Sequence, residues 1–69
     1  MIKKITQSGK YQYEVGKKYP AMPGTITRIA HEGSMYVLYY DDPVDGETWG
    51  MKLAEQFITR VEDEHGNQI

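Results

Sequence analysis

Apolar and polar residues alternate along much of this chain, and the alternation has a period of two. Tyr11, Tyr13 and Val15 are interleaved with Gln12 and Glu14, which predicts a half-buried strand. Residues 24–30, Gly-Thr-Ile-Thr-Arg-Ile-Ala, are rich in β-branched side chains and predict a second strand. Residues 35–40, Met-Tyr-Val-Leu-Tyr-Tyr, predict a third, apolar on both faces. In residues 47–53, Trp49, Met51 and Leu53 fall on one face and Thr48, Gly50 and Lys52 on the other, a fourth strand. Residues 58–61 predict a fifth.

The breaks between these runs carry turn chemistry. Gly16, Pro20, Pro23 and Gly24 predict a long connection, because proline has no backbone donor for a ladder. Residues 31–34 predict a hairpin turn around Gly33. Residues 41–47 predict a polar turn, with Pro43 ending the strand and Asp45-Gly46 suited to a left-handed position. Residues 53–57 have helical composition over about one turn, which predicts a 3₁₀ turn. Residues 63–67 predict a last turn that lets Gln68 and Ile69 fold back.

No segment of about ten residues keeps a helical period. Five short strands at this density predict an all-β fold closed into a small barrel, since closure removes exposed edges. The 69 residues leave room for one domain, with residues 1–10 expected as a loose N-terminal arm. Val15, Ile26, Ile29, Val37, Trp49, Leu53, Phe57 and Val61 are the expected core. Neighbours on a strand point to opposite faces, so Tyr36, Leu38 and Tyr40 form one set and Met35, Val37 and Tyr39 the other. The pattern leaves open which set faces in. The outward one exposes an aromatic patch of the kind that marks contact sites.

The order of elements resembles the SH3-like small barrels and, within them, the Tudor-like group. The resemblance spans roughly residues 15–61. It is carried by Gly24-Thr-Ile-Thr-Arg-Ile, by Met35-Tyr-Val-Leu-Tyr-Tyr-Asp-Asp, by Glu47-Thr-Trp-Gly-Met and by residues 53–57 before the closing strand. It implies a five-stranded barrel with a short 3₁₀ turn before the last strand. Trp49, Phe57, Val61 and Gly66 are also similar in placement to a small bacterial domain family of unknown function, with Met51-Lys52 where that family tends to have Arg-Pro. Tudor-like domains often bind methylated lysine or arginine in an aromatic cage. By position the walls here would be Tyr36, Tyr40 and Trp49, with Asp41 or Asp42 as the acid. The loop that completes such cages offers only Tyr19, and Lys17 and Lys18 beside it repel a cation. The cage therefore ranks behind a plain protein contact.

Charge sharpens the alternatives. Residues 1–30 carry six basic side chains and one acidic, and residues 31–69 carry two basic and nine acidic, for a net charge of −2. The leading expectation is a non-catalytic protein-binding module, regulatory or inhibitory, that presents Tyr36, Tyr40, Asp41, Asp42, Asp45 and Glu47. Tyrosine and tryptophan are common interface anchors. The alternative is a nucleic-acid-binding barrel using Lys10, Lys17, Lys18, Tyr19 and Arg28, with bases stacked on aromatics beside a positive groove. The sequence pI near 5.5 weighs against it.

Other classes are poorly served. The chain has no cysteine, so no disulfide or thiolate metal cluster can form. An EF-hand reading of Asp41 fails, because Pro43 and Lys52 stand where oxygen ligands are needed. No nucleophile elbow, phosphate loop or paired acidic motif is present, so neither catalysis nor a cofactor is expected. No apolar run is long enough for a membrane helix or a signal h-region, and a cytoplasmic setting is expected. A chain this short gains only about 3–5 kcal/mol from one core, which makes a homodimer or a stabilising partner a reasonable expectation.

Overall fold

The computed structural model describes all 69 residues. It contains six antiparallel strands: β1 (Ile2–Gln7), β2 (Tyr11–Glu14), β3 (Ile26–Glu32), β4 (Met35–Asp41), β5 (Thr48–Ala54) and β6 (Ile58–Asp63). A 3₁₀ turn at Glu55–Phe57 precedes β6, as expected. The sheet runs β2-β1-β3-β4-β5, with β6 on β1, and it curls into a half-barrel. The all-β class, the hairpin around Gly33 and the returning tail therefore stand. In that tail Ile69 N–H donates to Val61 O at 2.9 Å.

The main correction lies at the N-terminus. Residues 1–10 are not a loose arm, and the strands number six rather than five. β1 pairs with β2, β3 and β6, and Ile5 is fully buried. The reason is a β-bulge. The pairing with β6 shifts register between Ile2 and Lys4, so Lys3 is the extra residue and Ile2 and Ile5 share the inner face. Two further bulges repeat the device. Thr27 is extra between Ile26 and Arg28, and Thr59 is extra opposite the step from Thr6 to Gln7. Ile26 and Ile29, and likewise Ile58 and Val61, are three apart and pack on one core. Each bulged side chain also donates to a backbone carbonyl: Lys3 Nζ to Val15 at 2.9 Å, Thr27 Oγ1 to Tyr39 at 3.3 Å and Thr59 Oγ1 to Thr6 at 3.3 Å.

The core is Ile5, Met22, Ile26, Ile29 and Leu38. Ile29, Leu38 and Met51 lie side by side across β3, β4 and β5. Tyr13, Ile5 and Val61 do the same across β2, β1 and β6. Val15, Leu53 and Val61 pack against the core and stay partly exposed. Met22 plugs it from the β2–β3 connection, a role that its setting between prolines conceals. Two expected core residues are exposed instead. Trp49 is 48% and Phe57 50% exposed, because no strand covers the outer side of β5 or the 3₁₀ turn.

The faces of β4 are now assigned. Tyr36, Leu38 and Tyr40 face inward, and Met35, Val37 and Tyr39 face outward. Tyr39 is thus no core filler. Its hydroxyl donates to the Glu32 carboxylate and its ring lies 4.2 Å from the Arg28 guanidinium. Val37 is buried on this outer face because Gly50 makes room: a Cβ there would stand 2.8 Å from Val37 Cγ1. The charged halves interleave. Lys4 pairs with Glu62 at 3.7 Å and the Met1 ammonium with Glu64 at 3.2 Å, so the polarity along the sequence is not two separate poles in space.

Candidate functional site

Two surfaces concentrate the residues singled out by the sequence. The first lies where β4 passes through the turn of residues 42–47 into β5. Trp49 pairs across the strands with Tyr40, and Thr48 with Asp41. The turn is braced by its own acids. Asp42 Oδ1 accepts from Val44 N–H at 2.8 Å, Asp45 Oδ1 from Glu47 N–H at 2.9 Å and Asp41 Oδ1 from Thr48 Oγ1 at 2.8 Å. Such short side-chain-to-backbone bonds explain why aspartates build this turn.

These hydrogen bonds involve no cationic side chain. None of Asp41, Asp42, Asp45 and Glu47 forms an ion pair. Val44 at the tip is 92% exposed. The turn thus carries an apolar tip and four carboxylates without an ion pair, and the half-exposed Trp49 follows it on the face of Tyr40, with Asp41 and Thr48 on the other face. Gly24 locks the turn against the β2–β3 connection. A Cβ on Gly24 would fall 1.9 Å from the Asp41 carbonyl oxygen, so only glycine permits this approach. Beside that contact is a cleft of about 530 Å³ whose lining includes Lys18, Pro23, Thr27, Asp41, Asp42 and Pro43.

The site is not the one read from the sequence in every respect. Tyr36 and Tyr40 are both turned to the core side and are partly buried. Tyr36 stacks on His31 at 4.2 Å, and His31 Nε2 lies 2.6 Å from Glu55 Oε2. Tyr36 is four residues along the strand from Tyr40, roughly 13 Å at the usual rise. It therefore cannot wall one cage with Tyr40 and Trp49. Trp49 was expected inside and instead forms the exposed part of the surface. The cause is its place at the start of an edge strand, which only the strand pairing reveals.

The second surface is a cleft of about 360 Å³ between β2 and the β2–β3 connection. Lys10, Tyr11, Tyr13, Tyr19, Pro20 and Ala21 line it. Tyr13 and Tyr19 meet edge to face at 5.3 Å, and Tyr19 Oη accepts from Glu14 N–H at 3.0 Å. Lys10 Nζ sits 5.3 Å from the Tyr11 ring centre. Of the proposed nucleic-acid residues, Lys10 and Tyr19 are brought together here. Lys17 is held by Glu14 at 3.2 Å, Lys18 lines the other cleft, and Arg28 lies over Tyr39 on the outer face.

Three ionisable groups are displaced. The hydrogen bond to Glu32 holds the Tyr39 hydroxyl above its usual value, aided by partial desolvation and the Glu32 charge and opposed by Arg28. Backbone donors of Asn67 and His65 hold Asp63 below the ordinary carboxylate range. Glu64 is lowered by its own backbone N–H and by the Met1 ammonium. All three shifts have local causes. No group of three or more histidine, cysteine or acidic side chains is placed to hold a metal ion.

No helix is long and apolar enough to cross a membrane. The fold and its surfaces define a small antiparallel half-barrel with an exposed aromatic–acidic edge. No protein-family model matches the chain, and neither a curated protein nor a solved structure shows significant similarity to it.

Proposed function

We propose that this chain is a non-catalytic protein-binding module, a small SH3-like barrel of the Tudor-like group, that meets its partner through Trp49, Tyr40 and the acidic turn 42–47. One observation carries the reading. Trp49 is half exposed at the end of β5 that follows the acidic turn, and none of Asp41, Asp42, Asp45 and Glu47 forms an ion pair. Tryptophan is a preferred interface anchor, and a half-exposed ring next to an acidic turn suits an apolar segment with basic residues. Cytoplasmic residence and a regulatory or inhibitory role belong to the same proposal.

The test is capture of partners from nuclease-treated lysate by the wild-type chain and by Trp49→Ala. Truncation of a hot-spot anchor costs about 2 kcal/mol or more, so the variant should lose its specific proteins while its melting temperature stays near wild type. Equal capture by both chains removes the proposal.

A second reading keeps the nucleic-acid alternative, because Lys10, Tyr11, Tyr13 and Tyr19 meet in one cleft. It predicts binding of single-stranded DNA that weakens steeply with log salt, with a flatter slope for Lys10→Ala. Its weakness is local: Tyr13 and Tyr19 already occupy each other, and Glu14 holds Lys17.

A further inference from the structure

β5 is bonded along one side only. All seven of its residues pair with β4 without a register shift, and no strand lies on its other side. The ladder determines which backbone groups remain. Asp42 N–H donates to Glu47 O at 2.8 Å, and Glu55 N–H donates to Ser34 O at 3.0 Å. Antiparallel alternation between these two bonds turns the N–H and C=O of Trp49, Met51 and Leu53 toward β4. Those of Thr48, Gly50 and Lys52 point away, toward solvent. Edge strands are commonly blunted by proline, by a bulge or by charge. β5 carries neither proline nor bulge, and Lys52 is its single charge.

The side chains beside this edge are specific. Trp49, Met51 and Leu53 share the inner face of the strand. Glu47 and Glu55 stand just beyond its two ends, and Glu55 also holds His31. Resting on the protein-binding reading above, we propose that β5 accepts an extended segment of a partner protein as an added strand. That segment is apolar at alternate positions and cationic toward both ends. Its main chain completes the ladder of Thr48, Gly50 and Lys52, its apolar side chains continue the Trp49 row, and its cations meet Glu47 and Glu55.

A second copy of this chain fits the edge less well. Antiparallel self-pairing about Gly50 sets Asp45 opposite the other copy's Glu55. Pairing about Met51 sets Glu47 opposite Glu55, and pairing about Lys52 sets lysine against lysine. Like charges directly opposite destabilise a ladder. Every register that uses most of β5 incurs this penalty, whereas a cation-ended segment gains at the same positions.

The test uses the full chain and a nine-residue peptide in which valine and threonine alternate and both ends are lysine. A glutamate-ended peptide of the same interior is the control. The lysine-ended peptide should bind at least about tenfold more tightly. It should also slow amide exchange at Gly50 and Lys52 in the wild-type chain. Lys52→Pro removes one outward N–H at a position where an edge strand tolerates proline, and should weaken binding about tenfold. Lys52→Ala, which keeps the N–H, should bind no more weakly than wild type. Equal affinity for the two peptides, or a bound peptide that leaves Gly50 and Lys52 exchanging at the free rate, overturns strand addition. So does a dimer that protects these amides without peptide. Partner capture that is lost in Trp49→Ala but kept in Lys52→Pro would also overturn strand addition while leaving the protein-binding reading intact.

Discussion

In the cleft beside β2, the tyrosines already have partners. Tyr13 has the edge of Tyr19, Tyr19 has the Glu14 amide, and Tyr11 has Lys10. At the start of β5, the Trp49 ring has no aromatic, cationic or hydrogen-bonding partner within the chain. The acids of the turn before Trp49 are hydrogen-bonded within it but form no ion pair, whereas Glu14 near the tyrosines is paired with Lys17. Aromatic content is therefore a poor guide to a contact site. What separates the two surfaces is whether their rings and charges are satisfied from inside. The tyrosine cleft reads as a structural seam, and the Trp49 surface as one with unmet capacity.

Substitutions can break this comparison. The largest effect is expected at Gly24, which joins the two regions. Gly24→Ala forces a backbone shift, because the new methyl would overlap the Asp41 carbonyl. A loss of about 3 kcal/mol is expected by denaturant unfolding, with the turn 42–47 displaced and Trp49-dependent binding lost as well. Next comes Tyr13→Ala. If the tyrosine cleft is a seam, it should cost about 2 kcal/mol of stability, the range of a truncated packed side chain. Partner capture per folded molecule should be unchanged. A stable Tyr13→Ala that fails to bind would reverse the assignment of the two surfaces.

A smaller effect is expected at Thr6. Its hydroxyl is buried on the outer face of β1 and has no hydrogen-bond partner. Thr6→Val keeps the shape and removes the orphaned group, so it should raise stability by about 1 kcal/mol. Unchanged or lower stability would mean that the hydroxyl is satisfied in solution.

The smallest effect is in pH dependence. Tyr39 keeps its proton more tightly in the folded chain than unfolded. Its contribution is present in full below the ordinary tyrosine value of 10.0 and is lost as pH rises through the raised one. Glu32→Gln should lower the Tyr39 titration, read by ultraviolet difference spectra. Asp63 and Glu64 act in the other direction. Their lowered values support folding above the ordinary values of 3.8 and 4.5, and that support fades as pH falls through the lowered ones.

The fold class was legible because strand alternation and turn residues coincide in residues 11–61. The hairpin, the acidic turn and the 3₁₀ turn all follow from local chemistry. β1 was not legible, since the bulge at Lys3 breaks its alternation and two lysines give it a polar look. Trp49 and Phe57 were misplaced for a different reason. Size and apolarity favour the core, but only pairing shows that β5 is an edge. The inward face of β4 was equally hidden, because both of its faces are apolar. At the candidate site, the acids lie in the turn read from sequence, Tyr40 was expected to be presented outward and is turned to the core side, and the exposure of Trp49 was not legible. Sequence proximity grouped Lys17, Lys18 and Arg28 with the tyrosines, and the fold distributed them over three surfaces.

The three bulges also bear on how this gene can vary. Ile2 and Ile5, Ile26 and Ile29, and Ile58 and Val61 each share a face only because one residue between them is supernumerary. Loss of a single codon at Lys3, Thr27 or Thr59 would restore a regular ladder locally and bring each pair to a spacing of two, which shares a face without a bulge, so only the bulge and its side-chain bond to a carbonyl would be lost. A conservative point substitution at the same codon leaves the count intact. Lineages descended from this sequence should therefore vary at these three places both in residue identity and by loss of a single residue, while each apolar pair stays on its face.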